Sequence, residues 1–395
     1  MNIKETRSMF NYFKDIKFDR NEWSGAFGDI GTDFPLIVGM IISAGLDSAS
    51  VLVMFGIMQI FTGGLYKMPM PVQPLKAMAT IVITQKISPC ILYGGGLAIS
   101  ISMFILNITK LIDWISQIVP KTVIRGIQLG LGIKLAMLAL QDYVISDGIA
   151  GYYLAAIAFL VAISLIGNRK YPPAVFIIAI GMVYAFIFKI DGQIFVNAVG
   201  IYLPQIHTPT WGDILTGFFI LAIPQVPLSI GNSILATNQI ANDWYPERNI
   251  SIRKIGYTYS LINLINPFFG GIPTCHGSGG IVGHHNFGGR TGGSVIIYGS
   301  LYILLGLFFS QGFNTIVNIF PLPILGILLL FEGLGLMLLV RDVAHSKTKF
   351  MIALLVGLIS GGIRYGFVIG IFTGTFLYYA IERGFTGLGK INKDD

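Results

Sequence analysis

The chain has 395 residues, 54% of them hydrophobic and only 11% charged, with a formal net charge of +7. Soluble domains carry roughly 25% charged residues, so this composition excludes a soluble globular protein. It also removes the nucleic-acid reading of the positive charge and describes an integral membrane protein with basic residues in its loops.

An N-terminal arm, residues 1–24, is polar and amphipathic and lacks the apolar core of a cleavable signal. About fourteen apolar segments of helical length follow between Gly25 and Ile381, several shorter than the ~20 residues that a straight crossing needs. Lys4, Arg7, Lys14, Lys17, Arg20, Lys110, Lys121, Arg169, Lys170, Arg248, Arg253 and Lys254 fall on one side, against mainly Lys86, Lys189 and Arg364 on the other. The bias predicts an even number of spans with both termini in the cytoplasm. Cys90 and Cys275 lie far apart in apolar surroundings and imply no disulfide, and the histidines and cysteines show no metal spacing.

The second half echoes the first about 200 residues later. TDFPL (32–36) answers to PQVPL (224–228), MPMPVQPLKA (68–77) to GIPTCHGSGG (271–280), and VPKTVIRGIQLGLGI (119–133) to FPLPILGILLLFEGLGLM (320–337). Seven segments per half is an odd number, so the second copy enters the membrane from the opposite face, an inverted repeat. The expected fold is therefore an all-α integral membrane protein in a 7+7 arrangement. Its first repeat spans 25–190 and its second 191–395, ending in a short tail.

Both copies interrupt a span with proline. Pro69, Pro71 and Pro273 disfavour helix in the residues before them, and non-helical backbone at membrane depth is tolerated only in protein or beside a wet cavity. Each copy thus reads as a short extended stretch followed by a half-helix, starting near Gln73 in one and near His276 in the other. Two such stubs would aim their N-termini at a shared midplane pocket suited to an anion. Lys76 adds a full charge; Gln73, Cys275, His276, Ser278 and the amides of Gly277 and Gly279 surround it.

At these residues the chain resembles the molybdate transporter family MOT1, a distant relative of the SulP sulfate permeases. The resemblance rests on GAFGDIGTDFPL (25–36), PMPVQPLKA (69–77), IPQVPLSIGNSILA (223–236) and PTCHGSGGIVGHHNFGGRTGG (273–293). It implies a carrier of molybdate, a tetrahedral dianion, on the fold shared with sulfate permeases and nucleobase symporters. It further implies a core domain (25–109 and 213–310), a gate domain (119–188 and 320–383), and relatives that often form homodimers. Tungstate and sulfate are close enough in shape to remain alternatives, as does an anion channel of the same fold.

Several residues admit two roles. Lys76 either meets the anion or pairs with a carboxylate. Gln225, between two prolines, either donates to the oxyanion or caps a carbonyl freed by Pro227. Ser278 is a ligand, an N-cap or both, Asn232 reads as interhelical glue, and His284 and His285 read as interfacial. Asp29, Asp33 and Glu332 are the embedded acids that could carry a coupling proton, or they are structural. The glycines at 25, 28 and 31 read as close-packing positions. The chain has no G-x-x-x-x-G-K-[ST] loop for ATP and no nucleophile constellation for an enzyme. A plasma-membrane importer using protons is the expectation.

Overall fold

A computed structural model describes residues 15–112, 118–165, 167–168, 171, 173–188 and 199–383. Of the basic residues read for orientation, Lys4, Arg7, Lys14, Arg169, Lys170 and Lys189 lie outside these. Apart from short 3-10 turns, the described residues form fifteen helices and two three-residue strands. In the first half these are α1 (Arg20–Ala26), α2 (Ile30–Ala44), α3 (Ser48–Tyr66), β1 (Val72–Pro74), α4 (Lys76–Gln85), α5 (Pro89–Ile108), α6 (Lys121–Tyr143), α7 (Gly148–Leu165) and α8 (Pro173–Phe188). In the second they are α9 (Trp211–Trp244), α10 (Ile252–Ile265), β2 (Thr274–His276), α11 (Ser278–Asn286), α12 (Gly293–Ile319), α13 (Leu322–Leu338), α14 (Lys347–Gly362) and α15 (Gly366–Glu382).

With α1 and α2, bent by 43°, counted as one segment, each half supplies seven helical segments in the same order, as the inverted repeat requires. Seven of the described helices are long and apolar enough to cross a bilayer, or eight with the bent pair; α4 and α11 are the two broken ones. The chain is a multi-pass membrane protein.

Close packing follows the glycines. A side chain at Gly28 would collide with the backbone of Gly283 and His284, so α11 lies directly against the bend between α1 and α2. Helix α3 packs along α12, α5 along α9 and α10, and α6 along α13 and α14. Pro224 and Pro227 cannot donate to the preceding turn, and α9 widens to π-helix on either side of them, over Phe218–Ala222 and Ser229–Ala236.

Both half-helices begin later than the prolines suggested. Helix α4 starts at Lys76, because Pro74 holds Gln73 extended as the residue before it, so Lys76 opens the helix instead of lying a turn inside it. Helix α11 starts at Ser278 after Gly277. The extended stretches meet as an antiparallel pair with Val72 opposite His276, Gln73 opposite Cys275 and Pro74 opposite Thr274. Leu75 N donates to Pro273 O at 3.0 Å.

The arm residues nearest the membrane are built into this body. Glu22 is buried, and its carboxylate accepts from the amides of Arg290, Thr291 and Ser294 at 2.8–2.9 Å, capping the start of α12.

Candidate functional site

The crossing of β1 with β2 places the mouths of α4 and α11 beside one cavity of about 300 Å³. That is the liquid volume of about ten waters. Gln73, Lys76, Gln225, Cys275, Ser278, Gly279 and Glu332 line it, as do Gln128, Asn232 and Ser233.

Most of the polar side chains here are held by specific contacts. Gln73 donates through Nε2 to both carboxylate oxygens of Asp29, each at 2.7 Å. This turns its carbonyl toward Gly277, where a Cβ would overlap it; Gly277 is the space in which Gln73 lies. Lys76 Nζ meets Glu332 Oε1 at 2.7 Å, and Thr32 Oγ1 donates to Glu332 Oε2 at 3.2 Å. Gln225 Oε1 accepts from the amides of Ala77 and Met78 at 3.0 and 3.4 Å, and its Nε2 donates to Ser229 Oγ at 3.1 Å. The carboxamide thus caps the first turn of α4 and does not serve a carbonyl freed by Pro227.

Helix α11 has no such side-chain cap. Ser278 Oγ instead donates to Asn232 Oδ1 at 3.1 Å, and the space beside Gly279 is open. Its first-turn amides and their partial positive charge therefore remain for an occupant of the cavity.

His276 does not belong to this group. Side chains alternate along a strand, so with Cys275 facing the cavity His276 faces away. Its Nε2 shares a hydrogen bond with Thr258 Oγ1 at 2.7 Å, its ring stands edge-on to Tyr66, and Tyr66 Oη reaches the same Thr258 hydroxyl at 2.6 Å. Asp29 and Asp33 are buried behind Gln73 and do not line the cavity; Asp33 lies beside Asp29 and the Tyr298 hydroxyl.

His284 is likewise buried against Tyr298 and is not interfacial, because α11 runs inward past Gly28. Asn232 and Ser233 were missed as lining residues. The π-helical widening after Pro227 brings them round, and the two prolines were its only signal.

The model of the family described as "Molybdate transporter of MFS superfamily" matches residues 21–135 and 217–336, more than half of the chain. The chain belongs to the molybdate transporter family. It is 31% identical over 379 residues to Molybdate transporter 2 of Arabidopsis thaliana, covering 84% of this chain and 81% of that one. It is 30% identical over 408 residues to Molybdate transporter 1 of the same plant, covering 91% and 88%.

Among solved structures, it is similar to the transmembrane domain of a cyanobacterium bicarbonate transporter, BicA, with TM-score 0.66 and 16% identity over 91% of this chain and 96% of that one. It is also similar to SLC26A9, with TM-score 0.67 and 13% identity over 96% and 70%. These likenesses show the inverted-repeat transporter fold for this member of the family. The matched stretches contain both broken helices and, except for Leu339, the cavity lining.

Proposed function

We propose that this protein is a secondary active transporter that imports molybdate across the plasma membrane, with both termini in the cytoplasm. The observation that carries the reading is the uncapped N-terminus of α11 opening, beside Lys76, into a polar cavity of a molybdate transporter family member. Anions are stabilised at such helix ends, and Lys76, Gln73, Ser278 and Asn232 surround the same space. The core, 25–109 with 213–310, would carry the anion between the two faces as it moves against the gate, 119–188 with 320–383. The contacts along α3–α12 and α5–α10 on one side and α6–α14 on the other support that division.

A dianion entering a negative cytoplasm is opposed by about 2.3 kcal/mol per charge per 100 mV. Import therefore needs accompanying cations, and protons fit the embedded acids Asp29, Asp33 and Glu332. Calorimetry on purified protein tests the site: Lys76→Ala and Gln73→Ala are each expected to lower molybdate affinity by about tenfold or more. Unchanged affinity in both rejects it. Uptake into vesicles, with tungstate and sulfate as competitors, tests the substrate. Saturable, gradient-dependent uptake is expected, and large currents indifferent to pH would indicate a channel instead.

A further inference from the structure

Among the described residues lining the site cavity, Lys76 and Glu332 are the charged ones, and they are in contact at 2.7 Å. Their opposite formal charges cancel, so the cavity lining carries no net charge. The ammonium that a dianion needs already has an anion on it, and the pair joins α4 to α13. An ionised carboxylate so close to an arriving dianion would repel it strongly, because charges in a low-dielectric surrounding are weakly screened. Removing the Glu332 charge would free Lys76 for an oxyanion.

Glu332 is also placed to receive a proton. It lies in the wall between the site cavity and a second cavity of about 270 Å³, bordered by Phe27, Gly31, Ala174 and Phe331, and it lines both. The titratable groups facing it are Lys76 on α4, Asp29 and Asp33 at the start of α2, and Cys275 across the cavity. Helices α6, α7 and α8 present Gln128, Ala162 and Ala174, none of them titratable. Of the three embedded acids, Glu332 alone both lines the cavity and holds the cation.

We propose that Glu332 is the internal counter-anion of the site: it neutralises Lys76 while the site is empty and takes up one proton when the oxyanion binds. The proposal rests on the oxyanion-transporter reading and deepens it. In the exchange the carboxylate gains one proton from water, the ammonium keeps its three, and no covalent bond to the substrate forms or breaks. The site with its dianion then carries one net negative charge instead of two.

The test is molybdate calorimetry on the full-length wild type at pH 6, 7 and 8 in two buffers of different ionisation heat. The wild type is expected to take up about one proton per anion, its affinity falling by about tenfold per pH unit wherever Glu332 is ionised in the empty site. Glu332→Gln is expected to bind with buffer-independent heat and pH-independent affinity, more tightly than wild type at pH 8, and Glu332→Asp to restore the buffer dependence. Wild-type binding without proton uptake, or uptake persisting in Glu332→Gln, overturns the proposal and leaves the transporter reading standing. Failure of the wild type to bind molybdate, tungstate or sulfate overturns both.

Discussion

Gln59 and Asn263 occupy matching places in the two halves, each clamping both backbone groups of the first residue in a strand. Gln59 donates to Val72 O at 2.8 Å and accepts from Val72 N at 3.0 Å. Asn263 donates to Thr274 O at 2.7 Å and accepts from Thr274 N at 2.9 Å. A two-stranded sheet has two open edges, and buried backbone groups away from water need partners; a carboxamide supplies both. Gln59→Leu or Asn263→Leu leaves two such groups unpaired and is expected to cost about 2–6 kcal/mol, seen as a lower melting temperature in detergent.

Glu22 holds three amides at the start of α12 from outside that helix. Glu22→Ala removes the acceptor from a buried position. A loss of about 2–4 kcal/mol is expected, again read by thermal unfolding, with the affinity of the folded fraction unchanged.

Gly277 and Gly279 are predicted to respond differently to alanine. A methyl at Gly277 overlaps the Gln73 carboxamide, whereas one at Gly279 meets nothing within 4 Å. Gly277→Ala should displace Gln73 from Asp29 and abolish detectable binding in calorimetry. Gly279→Ala should fold normally and weaken binding by about tenfold, by standing in the space beside the α11 amides.

Substitutions at His276 and Ser278, two positions apart, separate stability from recognition. His276→Leu removes one partner of the Thr258 hydroxyl, which keeps Tyr66 Oη, and should lower stability by about 1 kcal/mol while leaving affinity within about twofold. Ser278→Ala should leave the melt nearly unchanged and reduce affinity. Parallel melts and titrations of the two variants check this.

The spans, their number and the two interruptions were legible because each is local: apolar runs set the helices, and Pro69, Pro71 and Pro273 break them. Which side chains face the cavity was not. That depends on pairing between residues 200 apart, and a shift of one position would exchange Cys275 for His276. Gln73 could be singled out as polar and misplaced, but its partner Asp29 and the space at Gly277 exist only once both copies cross. Gln225 was found between its prolines, yet the amides it accepts from lie on another helix. Glu22 read only as part of a polar, amphipathic arm because nothing adjacent to it in the chain shows the helix end it caps.

The pairing of Val72–Pro74 with Thr274–His276 also sets how late in synthesis the site can close. A ribosome releases the first strand long before the second, so the early half enters the lipid with one edge of its extended segment unmatched. Contacts of such long sequence separation form slowly. That edge stays without its partner until residue 276 has been made, and a chain cut between the two strands never closes it.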